Sequence, residues 1–187
     1  MKERLEKYWE AFGDQGPAGR DLKLNLSKAI ESSALEESEA VLAVVALATA
    51  AGDRRLEQLA TERLRELDFT AEQITEARSS AGLVGMLNMY YRFKHLLSHT
   101  DPTAMERYKN AGLRMTALAK PALGKARYEM LAFAVSVLNG CEMCLVAHEK
   151  TLKAEGVSEE KIHDLARLAA TVFGLSRIAV QNLDLAQ

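Results

Sequence analysis

Apolar residues recur along most of the chain at helical spacing. Leu5, Tyr8, Trp9 and Phe12 follow the i, i+3, i+4, i+7 rule and predict an amphipathic first helix. The stretch GDQGPAG predicts a break after it. Leu22, Leu24 and Leu26 alternate as in a strand, but no second strand is available to pair with them, so a helix or turn is expected. Residues 36–51 are apolar nearly all round and predict a buried helix. Leu56, Leu59, Ala60, Leu64 and Leu67 put one face of the next helix on the core. Thr70 and Gln73 form a capping-box pair that starts another. Pro102 marks a loop near residues 98–103. A long apolar helix is expected after Pro121, ending near Asn139-Gly140, and the next opens at Cys141. Ser158 caps a last helix, with Glu159 and Glu160 in the first turn, where the dipole favours acids. The expected fold class is all-α, in one domain over residues 1–187.

The pattern also repeats. An offset of 88 residues places Gly52 on Gly140, Leu64 on Leu152, Phe69 on Val157, Thr70 on Ser158, Glu72 on Glu160 and Ile74 on Ile162. Two helical units are expected, roughly residues 35–86 and 123–174. They differ in chemistry. Cys141, Cys144, His148 and Glu129 fall opposite Asp53, Leu56, Ala60 and Val41. A shared architecture does not explain those four residues, so they need an explanation of their own.

Composition narrows the class. Hydrophobic residues make up 48% and charged residues 27%, the balance of a soluble globular domain. A chain of 187 residues buries a core without a disulfide or metal staple. A net charge of −2, with no Lys- or Arg-rich tract, argues against nucleic acid as a partner. The N-terminus MKERLEKYWEAF lacks the apolar run of a signal peptide, and LAVVALATAAG is too short to span a membrane. A cytoplasmic location is expected, where a close cysteine pair is more often catalytic or metal-binding than a structural disulfide.

Both cysteines lie in GCEMCLVAHEK, residues 140–150. On a helix, positions 141, 144 and 148 share one stripe, so the pair can close a local disulfide and His148 sits one turn from Cys144. Thiolate is the reactive form, and an unperturbed thiol of pKa ~8.5 is only about 3% ionised at pH 7. Lowering that pKa to ~7 takes roughly 2 kcal/mol. A helix N-terminus after Asn139-Gly140 supplies part of this, and a nearby histidine base supplies more. Glu129, set among apolar residues in RYEMLAFAVSVL, is the candidate carboxylate to orient that histidine. The dipole favours Cys141 as the more acidic thiol, whereas the His148 spacing favours Cys144. A base at close range outweighs a dipole effect of ~0.3–1 kcal/mol, which favours Cys144 as the more reactive thiol.

FAVSVLNGCEMCLVAHEKTL, with Glu129 twelve residues before Cys141, resembles the signature of the AhpD alkylhydroperoxidases of the carboxymuconolactone decarboxylase-like superfamily. DLKLNLSKAI, GMLNMYYRF and GLRMTALAKPALGKARYEM are similar to AhpD segments in the same order, so the resemblance covers nearly the whole chain. It implies an all-helical enzyme, commonly a homotrimer, that reduces organic hydroperoxides and the peroxiredoxin AhpC. It implies no bound cofactor, with the disulfide reopened by dihydrolipoamide carried on a lipoylated acyltransferase. In the family pattern Cys144 becomes sulfenic acid. Cys141 is proton donor and resolving thiol, and Glu129 and His148 form the proton relay. The family often has a second histidine where this chain has Met143, so a relay through it is missing here.

Blander readings stand beside this one. The cysteines with His148 and Glu129 make up a four-ligand zinc set, which would suit a non-catalytic redox-sensing or zinc-binding interaction protein. A decarboxylase-like activity, by superfamily analogy, gives the cysteines no task. Glu129 alone suits an ion pair with Lys125 or Arg127. His95, His99 and His163 are expected at the surface or at helix ends. Tyr90 to Phe93 are expected in core or subunit packing, and TERLRE as a solvated face with i, i+4 pairs.

Overall fold

A computed structural model describes residues 1–31 and 33–183, and these residues are helical with no strand. Helix α1 spans Lys2–Phe12, α2 Gly16–Glu31, α3 Glu37–Ala51, α4 Arg54–Glu66 and α5 Ala71–Ser98. After the short α6 (Ala104–Arg107) come α7 (Lys125–Asn139), α8 (Glu142–Ala154) and α9 (Glu159–Leu183). The all-α class expected from the periodicity is the class observed.

Helices α3 and α7 cross at the centre, and each packs on α5 and α9. The residues from Ala40 to Ala48 are all buried, which is why that stretch shows no amphipathic pattern. α1 lays Leu5, Tyr8, Trp9 and Phe12 on the core, against α4. The Leu22–Leu26 alternation resolves as helix. Two residues on a helix turn through about 200°, so Leu26 is buried while Leu24 is exposed. The break before α2 is shorter than GDQGPAG suggested. Asp14 accepts the Gly16 N–H at 2.8 Å, and Pro17, in the first turn, has no N–H to leave unpaired.

The boundaries of α3, α4 and the start of α5 recur 88 residues later in α7, α8 and α9. Each first helix ends on a left-handed glycine, Gly52 (φ 79°) or Gly140 (φ 63°). Each second helix ends through the same bond, Phe69 N–H to Leu64 C=O and Val157 N–H to Leu152 C=O. The last helix of each array also holds the entry to the other. Glu76 on α5 accepts the Ala122 and Leu123 N–H groups ahead of α7, and Asp164 on α9 accepts the Ala34 N–H ahead of α3.

The TERLRE stretch is not simply solvated. Thr61 and Leu64 are buried, Glu62 and Glu66 both bind Arg4 of α1, and Arg63 bonds Glu37 of α3 at 2.8 Å. These ion pairs hold helices together rather than decorating one of them.

Candidate active site

The site forms where α7 turns into α8. Gly140 takes the left-handed conformation that a residue with a Cβ adopts only at a cost, and this folds α8 back along α7. Cys141 is the N-cap of α8 and Cys144 lies in its first turn. The two sulfurs are bonded to each other in this structure, with Cα atoms 5.3 Å apart.

Asp53, 88 residues earlier, is the N-cap of α4, where its carboxylate accepts the Leu56 N–H at 2.9 Å. Cys141 makes no side-chain cap bond. The N–H at the matching position of α8 is that of Cys144, so the helix presents its positive end to a sulfur instead of a carboxylate.

His148 and Glu129 meet across α8 and α7. Nδ1 of His148 lies 2.7 Å from Oε2 of Glu129, and both side chains are largely buried. A carboxylate only accepts hydrogen bonds, so the proton sits on Nδ1 and Nε2 is left as the basic nitrogen. The other partners considered for Glu129 are engaged elsewhere. Lys125 bonds Glu155 at 2.6 Å, and Arg127 stacks over Phe69. That contact with Glu155 holds the Lys125 ammonium above its usual range.

Cys144, His148 and Glu129 line one cavity of about 560 Å³. Val84, Leu87, Leu118, Ala132 and Met143 make its walls largely apolar. Tyr128, also on the wall, is pushed up to about 12, first by burial and then by the negative charges of Glu76 and Glu129. Its phenol therefore stays protonated at neutral pH.

A network of side-chain amides fixes α5 beside the turn. Asn88 donates to Ser136 at 2.9 Å, Asn139 donates to Asn88 at 3.0 Å, and Arg92 donates to the Asn139 carbonyl at 3.0 Å. Cys141 lines a second, smaller cavity of about 230 Å³, which shares Tyr91 and Met143 with the first.

The carboxymuconolactone decarboxylase family model matches residues 102–186. A protein named alkyl hydroperoxide reductase AhpD from Anaeromyxobacter sp. (strain Fw109-5) is 39% identical over 170 residues, covering 90% of this chain and 86% of the relative. Proteins of the same name from Frankia alni and Nocardia farcinica are 40% and 41% identical, each covering 88% of this chain and 86% and 88% of their own lengths. The chain belongs to the AhpD family.

In this AhpD-family chain the structure brings Cys141, Cys144, His148 and Glu129 together, and it leaves His163 exposed and apart. Of the Tyr90–Phe93 stretch, Tyr91 lines the large cavity and Phe93 is 42% exposed, which departs from core packing but not from subunit packing. His95 lies in the last turn of α5 and His99 is its C-cap, the helix-end placement expected of them. His95 Nε2 lies 3.1 Å from Glu142 and 3.3 Å from His99 Nε2, and all three line the smaller cavity beside Cys141. Asn88, Tyr128 and the Leu118–Pro121 segment escaped the sequence reading, because only the packed fold brings them to one cavity wall. Among the described residues no group of three or more His, Cys, Asp or Glu is arranged to hold a metal ion, and no helix is long and apolar enough to cross a membrane.

Proposed function

We propose that the chain is an alkyl hydroperoxide reductase working through the Cys141–Cys144 pair. One observation carries the reading: a reactive sulfur and a Glu129-oriented imidazole share the wall of one apolar cavity. The names of the relatives support the same reading.

In the reduced protein, His148 Nε2 takes the Cys144 proton, and the thiolate attacks the terminal oxygen of the hydroperoxide. The O–O bond breaks, an alcohol leaves and Cys144 becomes a sulfenic acid. Cys141 attacks that sulfur, water leaves and the disulfide closes. Two electrons from an external dithiol reopen it. Attack at Cys144 releases Cys141, the sulfur at the helix N-terminus, where a thiolate is best stabilised as a leaving group.

An apolar cavity of this size takes the alkyl or aryl part of an organic hydroperoxide. It also suits the hydrocarbon arm of dihydrolipoamide, which the family resemblance puts forward as reductant. The same resemblance is the support for AhpC and a lipoylated acyltransferase as partners, for a homotrimer and for a cytoplasmic setting.

Single-turnover thiol loss with cumene hydroperoxide tests the reading, followed by recovery of thiols with dihydrolipoamide. We expect fast loss of both thiols in the wild type and none in Cys144→Ser. Loss that persists in Cys144→Ser sinks the assignment of roles. Stoichiometric zinc with unreactive thiols in the purified protein would replace it with the metal-binding alternative.

A further inference from the structure

We propose that Glu155 is a positioning residue for the site: it supports the His148 base by holding the Lys125 ammonium off Glu129. The inference rests on the reading above, in which His148 takes the Cys144 proton, and deepens it by naming what keeps that base strong.

Lys125 is the first residue of α7, and Glu129 lies one turn further along the same helix. Side chains four residues apart are neighbours, so Glu129 is within reach of the ammonium. In the structure the ammonium goes elsewhere. Lys125 Nζ lies 2.6 Å from Oε1 of Glu155, the C-cap of α8. Glu129 is left to His148, whose Nδ1 lies 2.7 Å from Oε2. Two carboxylates are thus divided between one ammonium and one imidazole. The Glu155 carboxylate, and after it that of Glu129, holds the Lys125 ammonium above its usual range. Lys125 therefore stays charged at neutral pH, and Glu129 still feels it. Neither partner suits its own helix. The lysine stands at the positive end of α7 and the glutamate at the negative end of α8, the ends where the dipoles disfavour them. The ionisable side chains on the large cavity are Tyr91 from α5, Lys125, Tyr128 and Glu129 from α7, and Cys144 and His148 from α8. Among these Lys125 is the standing positive charge.

Taking the Cys144 proton leaves a positive imidazolium, which Glu129 stabilises by its opposite charge. An uncompensated ammonium on the same wall works against that charge. Glu155 counters it in two ways. Its own negative charge offsets the ammonium as seen from His148. Its hydrogen bond also keeps Lys125 from competing with His148 for the Glu129 oxygens. Without the Glu155 charge both effects act in one direction. The imidazolium loses support, and less of Cys144 is thiolate at a given pH. Glu155 does not line the cavity, so it acts through Lys125 and Glu129 and not on a substrate.

Glu155→Gln keeps the shape and removes the charge. In a Cys141→Ser background, which reports Cys144 alone, iodoacetamide reads the thiolate across a pH series. Lys125 is 64% exposed, so water screens part of its charge. We expect alkylation below the midpoint to slow about three- to tenfold, which moves the midpoint up by about 0.5–1 pH unit. The double variant Lys125→Met/Glu155→Gln has no ammonium to divert and should return to within about twofold of the background rate. Single-turnover oxidation of the two-cysteine protein by cumene hydroperoxide should follow the same order. A Glu155→Gln profile that matches the background overturns the assignment. So does a double variant as slow as Glu155→Gln, which makes Glu155 a plain fastening between α7 and α8. If His148→Gln leaves the profile in place, the base reading fails and this inference falls with it. If the alkylation order holds while no hydroperoxide is reduced, the peroxidase reading fails and the role of Glu155 stands.

Discussion

Replacing Glu129 by Gln isolates the charge behind His148, the proposed base. The amide oxygen of Gln accepts the same Nδ1–H, so the ring keeps its tautomer and its place. What disappears is a full negative charge 2.7 Å from the ring nitrogen. Coulomb's law at an effective dielectric of 20 sets an upper limit of about 6 kcal/mol for charges at that separation. Measured hydrogen bonds to charged groups contribute less, about 1.5–3 kcal/mol. Both side chains keep roughly a fifth to a quarter of their exposure, 22% and 24%, so a value near the lower end applies. About 2 kcal/mol of lost imidazolium stabilisation corresponds to roughly 30-fold in the rate of any step in which His148 takes the Cys144 proton. Stopped-flow single-turnover oxidation with a saturating organic hydroperoxide reads that step, and a parallel urea titration checks the fold. The double variant Glu129→Gln/His148→Gln completes a cycle. If Gln at 129 costs as much without His148 as with it, the two residues are uncoupled and the relay argument is wrong.

Three further outcomes follow from the structure. Asp53→Ala removes the α4 cap and orphans the Tyr8 hydroxyl, which together cost about 2–4 kcal/mol in urea unfolding; an unchanged midpoint would refute that role. Gly140→Ala places a Cβ in open space but at φ 63°, so its cost of about 1–2 kcal/mol is purely conformational, and Gly52→Ala at φ 79° should match it in the same titration. The Arg63 guanidinium and the N-terminal ammonium hold the Glu37 carboxyl down at about 2. The folded value lies below the unfolded one. This contribution is therefore present above about pH 4.5 and is lost as pH falls toward 2. Glu37→Gln should flatten acid unfolding in that window, and identical acid profiles would remove the pair from the account.

Features encoded locally were legible from the sequence. The continuous apolar run of α3, the Thr70 and Ser158 caps and the Gly52 and Gly140 stops are all written within a few residues of where they act. The same holds for Cys141, Cys144 and His148, which share one helix start. Glu129 was readable because a carboxylate amid apolar neighbours needs a reason. Tyr91, Tyr128, Asn88 and His95 were not readable. Tyr91 and Asn88 sit on α5 and reach the site only because α5 packs against α7. Asn88 meets residues 48 and 51 positions away. The pairing of His95 with Glu142 spans 47 positions. Tyr128 looks like any aromatic on a buried helix until the fold places it on the cavity wall. Such groups have no local period or spacing, and only the packed fold brings them together.

The cap position shared by Asp53 and Cys141 has a consequence for how such a protein is built. One socket at the start of a helix holds a carboxylate in the first array and a sulfur in the second, and only the carboxylate takes up a free N–H. Filled with Asp53, it is spoken for, tied to Leu56 and to Tyr8. Filled with Cys141, it is left uncommitted, and the helix's positive end remains free to hold a charge that comes and goes. The helix proposed to carry the chemistry is thus a structural helix with its anchor taken out. The second array gives up a fastening that the first retains, and its steadiness must come from the helices packed around it.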